Sequence, residues 1–492
     1  MSTQQPAAKS SSNFLSSLSN FAIQYNLSSA GIALAFMATN ADTSTAEHCS
    51  GCGDGSTKAC AALKTAKACA SSQGAWGGTA GAPDYPKPAW VSSTLLGTVF
   101  VGAVVGMVTM GYAGDKLGRR KAFLLTTFLS FAGSALSALA SWGDEESVYG
   151  VISACRFVIG VGVGGLYPLS AAHASEGADD GADSATRVGW AFFWQTPGSM
   201  APYVVAVLLL QLSPSPTVTS LQFRLLLGLG AIPSFMILVL TWMQDEGGAG
   251  ARGGGGAAQG RRNPIDEAME HPEYFRTLVG TAGTWFVYDV SYYGTAIFTP
   301  QILVSVFGSA ETLMDTSTQS LIVASMGVPG CILAIKCLKT KGSKWLSTWG
   351  FLFIGALFFA MAVLYRVRVS RGAVGPHNDL HVPLFALFCA LTFGLNFGPN
   401  VSTFVLPTQA YPYSVRSTFH GLSAACGKLG AVVGTFMYTP IANSCADKDA
   451  GIALVMFVQA GLCVLGAVIS VYCIDEKGSA VPTRYSLLGA KA

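Results

Sequence analysis

Gly111-Tyr112-Ala113-Gly114-Asp115-Lys116-Leu117-Gly118-Arg119-Arg120-Lys121 packs five charges into a short turn between two apolar runs, 89–112 and 121–142. Each run is long enough, at about 1.5 Å rise per residue, to cross a hydrocarbon layer about 30 Å thick as a helix. A polar turn between two such runs reads as a membrane hairpin. The alternation continues along the chain. About twelve spans are expected, at 16–38, 89–112, 121–142, 148–172, 186–211, 219–243, 275–304, 318–338, 345–366, 381–406, 416–440 and 450–473. Only 11% of the 492 residues are charged and 51% are hydrophobic, whereas soluble domains carry roughly a quarter charged. The fold class is therefore an all-α membrane protein. The net charge of +3 is spread over loops, and no basic stripe of the kind that holds nucleic acid is present.

The basic residues set an orientation. Lys116, Arg119, Arg120 and Lys121 lie in the span 2–3 turn. Arg252, Arg261 and Arg262 lie between spans 6 and 7, and Lys339, Lys341 and Lys344 lie between spans 8 and 9. All fall on one side if both termini do, and the positive-inside rule makes that side cytoplasmic. Residues 1–243 then form a first six-helix bundle and 275–473 a second. The stretch 244–274, which contains "GGAGARGGGG", has a flexible linker's composition, and 474–492 is a cytoplasmic tail. Residues 39–88 form an external loop carrying Cys49, Cys52, Cys60 and Cys69, and Cys445 lies in a second polar loop. His48 stands alone there, so disulfides are expected rather than zinc. Cys155, Cys331, Cys337, Cys389, Cys426, Cys463 and Cys473 fall in apolar segments, where cysteine packs as a small hydrophobe. The serine-rich start lacks the parts of a secretory signal, although it also fits a weak transit peptide. External disulfides point to the plasma membrane.

Two charges lie deep in apolar segments: Asp289, within Trp285-Phe-Val-Tyr-Asp-Val-Ser-Tyr-Tyr293, and Lys428. A charge at the bilayer centre costs roughly 2.5–3.5 kcal/mol on insertion scales, so intramembrane charges mark functional sites. Trp285, Asp289 and Tyr293 follow i, i+4, i+8 and share one helical face. Lys428 supplies a compact positive charge suited to an oxyanion. An ionised Asp289 would repel the same anion, so protonation should accompany binding. The structural alternative is an ion pair that locks the two halves together. Arg156 is expected to snorkel or pair at an edge; His420, near the start of span 11, reads as a helix-end histidine in a loop, with a proton-accessible group as the alternative, and His173 reads the same way.

The 111–121 turn resembles the signature of the major facilitator superfamily, Gly-x-x-x-Asp-(Arg/Lys)-x-Gly-Arg-(Arg/Lys). In span 4 the resemblance continues through Arg156, Gly160, Gly162, Gly164 and Gly165. Within that superfamily the chain looks like the phosphate:proton symporters. The matching segments are "GVGVGGLYPLSAAHASE" at 160–176, "WFVYDVSYYG" at 285–294 and "NFGPNVSTFVLPTQAYPYSVRSTFHGLSAACGKLGA" at 396–431. The resemblance implies two pseudo-symmetric six-helix bundles with a midplane site between them. It places substrate on Tyr167, Gln195, Trp285, Asp289, Tyr293, Asn400 and Lys428, with Asp289 also coupling protons. Gating falls to Asp115, Arg119, Arg120 and Arg156, because Asp115 can cap a helix start and pair with cations in one conformation only. Three departures stand out: Asn26, Leu166 and Gln409 occupy positions where the family carries acids. Inorganic phosphate, protons and the lipid bilayer are the expected partners; protein partners are not legible. An organic anion or phosphorylated metabolite is the alternative cargo, and a non-transporting phosphate sensor a remote one. No cofactor or metal is expected, and no nucleophile–base pair or phosphate-cradling loop suggests an enzyme.

Overall fold

The computed structural model describes residues 5–42, 48–50, 75–77, 88, 90–176, 181–212, 220–243, 263–307, 313–371 and 380–474. Each expected span is met by one helix or by a pair. The first half contains α1 (Gln5–Asp42), α2 (Val91–Leu117), α3 (Arg119–Leu139), α4 (Glu145–Ser175), the pair α5 (Gly181–Phe193) and α6 (Gln195–Leu212), and the pair α7 (Ser220–Gly228) and α8 (Ala231–Met243). A short α9 (Pro264–Glu270) follows. The second half contains α10 (Glu273–Phe307), the pair α11 (Leu313–Ser325) and α12 (Gly327–Lys341), α13 (Ser343–Ser370), the pair α14 (His381–Asn396) and α15 (Pro399–Ala410), α16 (Arg416–Asn443) and α17 (Lys448–Cys473). Between α1 and α2, β1 (His48–Ser50) pairs antiparallel with β2 (Ala75–Gly77), placing Cys49 opposite Trp76. The other loop cysteines, the glycine-rich part of the linker and the tail from 475 lie outside the described residues. Cys445, grouped above with the cysteines expected to pair, is a free thiol.

Four spans that read as continuous in sequence are broken, and proline explains where. Pro197, Pro233, Pro329 and Pro399 each sit in the first turn of the second helix of a pair. There the missing N–H is one of the orphan donors any helix start leaves, so the ring is tolerated. At the α14–α15 break, Gly398 adopts φ +99°, and its backbone packs against that of Gly350. A second departure concerns the linker. Its end is not flexible: α9 is a helix whose Asn263 cap accepts from Ile265 N. Ala268 buries in a cluster with Tyr274, Tyr411, Val415 and Phe419.

Among the described residues, eight segments are long and apolar enough to cross a membrane. The four that are more polar, α1, α5–α6, α10 and α16, converge on the cavity described below. Helices approach closely where side chains are absent. Gly102 and Gly106 of α2 lie against the carbonyls of Phe157 and Val161 on α4, and Gly160 and Gly164 lie against Val99 and Ala103 in return. Such small-residue seams substitute for the hydrophobic drive that lipid cannot supply. In the second half α10 packs along α16 in the same way, with Gly430 and Gly434 against Phe286 and Val290.

Candidate functional site

All seven residues expected to touch substrate line one cavity between the halves. Its walls are Gln24, Tyr167, Phe192, Gln195, Thr196, Ser199, Trp285, Tyr288, Asp289, Tyr292, Tyr293, Asn396, Asn400 and Lys428, around about 470 Å³ of space between atoms. At its centre the Lys428 ammonium donates to Asp289 Oδ2 at 3.0 Å and to Tyr293 Oη at 2.9 Å. Lys428 and Asp289 are each only 2% exposed. The ammonium also stands 4.5 Å from the centroid of the Tyr293 ring and 5.5 Å from that of Tyr167. A lysine offers three N–H donors, and two are used here. The pair is real, but both partners belong to the second half, on α10 and α16. It therefore does not lock the two halves, as the structural alternative required.

Neutral groups from both halves complete the lining. Gln195 opens α6 directly after the α5–α6 break, and its Nε2 donates to Asn20 Oδ1 at 2.7 Å. Asn20, fully buried, donates in turn to Ser16 O and Ser170 Oγ. Asn400 sits in the first turn of α15 and donates to Asn396 Oδ1 at 3.1 Å across the break. An aromatic floor lies under the ion pair. Trp285 meets Tyr167 and Phe404 at centroid separations of 6.3 Å, and Phe192 meets Phe404 at 4.9 Å.

Beneath the floor, on the side of the α2–α3 turn and α9, the halves are joined directly. Asp115 accepts from Ser417 N, Thr418 N at 2.6 Å and Thr418 Oγ1 at 2.8 Å. It thus caps the N-terminus of α16 from the opposite half, where a carboxylate also meets the positive end of the helix dipole. Arg119 pairs with Glu176 and with Asp115, donates to Tyr413 O at 3.1 Å and stacks on the Tyr413 ring. Arg416 reaches back to Ser175 Oγ at 3.0 Å. The other two residues expected in the gate bond to groups of the first half. Arg120 donates to Thr241 O and Trp242 O at the end of α8. Arg156 neither snorkels nor pairs at an edge. It is fully buried and donates to Asn26 O and Ser29 Oγ of α1.

The positions of the three missing acids are informative. Asn26 accepts from Ser134 Oγ and donates to Gly230 O, so its amide ties α1 to the α3 and α7–α8 elements. Leu166 is buried in the apolar core rather than on the cavity wall. Gln409 accepts from Ser343 Oγ at 2.6 Å, bridging the α12–α13 turn to α15. His420 is not a loop residue: it is fully buried early in α16. His173 is in the last turn of α4, edge-on to Phe123. Sequence reasoning missed Gln24, Thr196, Ser199 and Asn396 on the wall and Asn20 behind it. Polar side chains inside apolar spans were the available signal, and Asn396 also stands four residues before Asn400.

The architecture is that of the major facilitator fold. A solved proton:xylose symporter of the major facilitator superfamily, XylE, superposes with TM-score 0.71 over 96% of this chain and 97% of its own, at 15% identity. The Escherichia coli fucose:proton symporter FucP gives 0.62 over 94% and 98%, at 12% identity. The chain belongs to the sugar (and other) transporter family, whose pattern matches residues 13–247 and 258–476. It is 39% identical over 355 residues to the inorganic phosphate transporter PT2 of Toxoplasma gondii, covering 72% of this chain and 60% of that protein. It is 29% identical to the low affinity inorganic phosphate transporter 1 of Petunia hybrida, covering 77% of this chain and 80% of the relative. A further relative, inorganic phosphate transporter 1-4 of Arabidopsis thaliana, is 28% identical over 77% of this chain and 80% of its own length.

Proposed function

We propose that this protein carries inorganic phosphate together with protons across a membrane by alternating access. The observation that carries the reading is Lys428, a buried cation held by Asp289 and Tyr293 on the wall of a cavity between the halves. With Asp289 ionised the pair is neutral and has little attraction for an anion. Protonation of Asp289 frees the ammonium, which then balances a phosphate monoanion at the same place. Tyr167, Gln195, Tyr293 and Asn400 offer hydrogen bonds without further charge, and the loaded site is again neutral. A neutral centre is what a transporter needs to carry through a low-dielectric path. Loss of the proton on the far side restores the Asp289–Lys428 bond and expels the anion.

Closure on the α9 side is made by Asp115 with Ser417 and Thr418, by Arg119 with Tyr413 and by Arg416 with Ser175. Every one of these joins opposite halves, so the gate opens by parting 1–243 from 275–473. In this reading the linker 244–274, the tail 474–492 and both termini face the cytoplasm, and the membrane is the plasma membrane. The likeness to inorganic phosphate transporters supports phosphate as cargo. The test is uptake of labelled phosphate competed by excess sugar phosphate, sulfate or arsenate. Competition by arsenate alone supports the inorganic oxyanion, and equal competition by a sugar phosphate moves the cargo to phosphorylated metabolites.

A further inference from the structure

His420 is a buried titratable side chain that the mechanism above leaves unused. It stands on the same face of α16 as Lys428, at i and i+8, with Ala424 between them. Its ring meets Trp285 edge-on at 5.5 Å and Phe404 edge-on at 5.1 Å. Trp285 lines the cavity one turn from Asp289, so the imidazole lies directly behind the aromatic floor. Its Nε2 is 3.0 Å from the carbonyl oxygen of Phe404. A carbonyl can only accept, so Nε2 carries the hydrogen, and in the neutral ring Nδ1 is then a bare acceptor. Nδ1 is buried and has no hydrogen-bond partner among the described residues. Buried acceptors are ordinarily satisfied, and an exception asks for a role.

We propose that His420 is a proton relay, taking at Nδ1 the proton that leaves Asp289 and passing it to water on the α9 side. The inference rests on the proton-coupled reading above. Its balance is simple: the Asp289 carboxylic acid loses its O–H bond, the imidazole gains an N–H bond, and the carboxylate re-forms its bond to Lys428. The imidazolium then gives one proton to water, and no other reactant is needed. Geometry supplies the timing. Two and three residues before His420, Thr418 and Ser417 hold Asp115 while the gate is closed. Trp285 stands between the imidazole and the cavity in this state, so the proton crosses by water admitted when these bonds part and the aromatic floor moves. The titratable and charged groups on the elements around it include Tyr274, Tyr288, Asp289, Tyr292 and Tyr293 on α10, Tyr167 and His173 on α4, Asp115 on α2, and Arg416, Cys426 and Lys428 on α16; α15 contributes none. None of them hydrogen-bonds to the imidazole among the described residues, so no fixed ion pair holds its charge state.

The test compares two rates in proteoliposomes holding wild-type protein or His420→Gln. The glutamine amide can still donate to the Phe404 carbonyl, but it cannot carry a proton. Phosphate-for-phosphate exchange at equal pH needs no net proton release, whereas gradient-driven net uptake does. The expected result is exchange within about twofold of wild type and net uptake reduced at least about tenfold, as for loss of a positioned proton-transfer group. Undiminished gradient-driven uptake overturns the relay. Equal loss of exchange and uptake also overturns it, leaving His420 as packing under Trp285. A wild-type protein that exchanges phosphate but ignores the gradient removes the coupling reading itself, and the relay with it.

Discussion

Replacing Asp115 by asparagine removes the bond that ties the first half to the start of α16. The carboxylate accepts three hydrogen bonds there, from Ser417 N, Thr418 N and Thr418 Oγ1, and faces Arg119 at 3.7 Å. An amide keeps one accepting oxygen and presents an N–H where Thr418 or Ser417 donates, so at least one charge-assisted bond is lost. Hydrogen bonds to charged groups contribute about 1.5–3 kcal/mol each, and the helix-end charge adds roughly 0.3–1 kcal/mol. A total of about 2–3 kcal/mol shifts the closed–open equilibrium about 30- to 150-fold toward the state open on the α9 side. Amide hydrogen exchange reads this directly, because Ser417 N and Thr418 N are the protected donors. In Asp115→Asn, peptides covering 413–423 should exchange faster by one to two orders of magnitude, while the α13–α17 interface stays unchanged. Unaltered protection at the start of α16 would refute the claim that Asp115 holds the gate.

Other consequences follow from single contacts. Lys428→Ala should abolish phosphate binding and cost about 3–5 kcal/mol, since Asp289 is left buried without its partner. Adding Asp289→Asn should restore most of the melting temperature but none of the binding; full recovery of binding would mean the cation is not the ligand. Asp289→Asn alone should bind and exchange phosphate yet fail to concentrate it against an imposed pH gradient. Gly421→Val should block closure, because a Cβ there meets the Met107 carbonyl across the gate; normal turnover in this variant would show that α2 and α16 need not touch. Leu166→Asp should lower thermal stability by several kcal/mol rather than add a coupling site, because Leu166 faces apolar core. A normal melting curve with an altered pH profile would contradict that placement.

Much of the fold was legible because lipid imposes a simple rule: apolar runs must be long, and charges must sit between them. The spans, the α2–α3 turn and the second-half pair of Asp289 and Lys428 all follow from that rule. Breaks within spans were not legible, since proline and glycine also occur inside unbroken membrane helices, as Pro168 does in α4. The seven cavity residues came from short motifs, whereas Gln24 and Ser199 lie outside any motif and only packing reveals which way they face. Arg156 was misplaced for a related reason. A lone arginine in a span usually reaches for the interface, and the backbone carbonyl of Asn26 that holds it belongs to a helix 130 residues away in sequence. The ordered end of the linker was hidden by the glycine-rich composition just before it.

The most direct test of the account is uptake of radiolabelled phosphate into proteoliposomes of purified protein, with and without an inward proton gradient. The account predicts saturable uptake that the gradient drives to concentration and that Lys428→Ala eliminates. Absence of phosphate uptake by the wild-type protein, or gradient-driven uptake that survives Lys428→Ala, would contradict it.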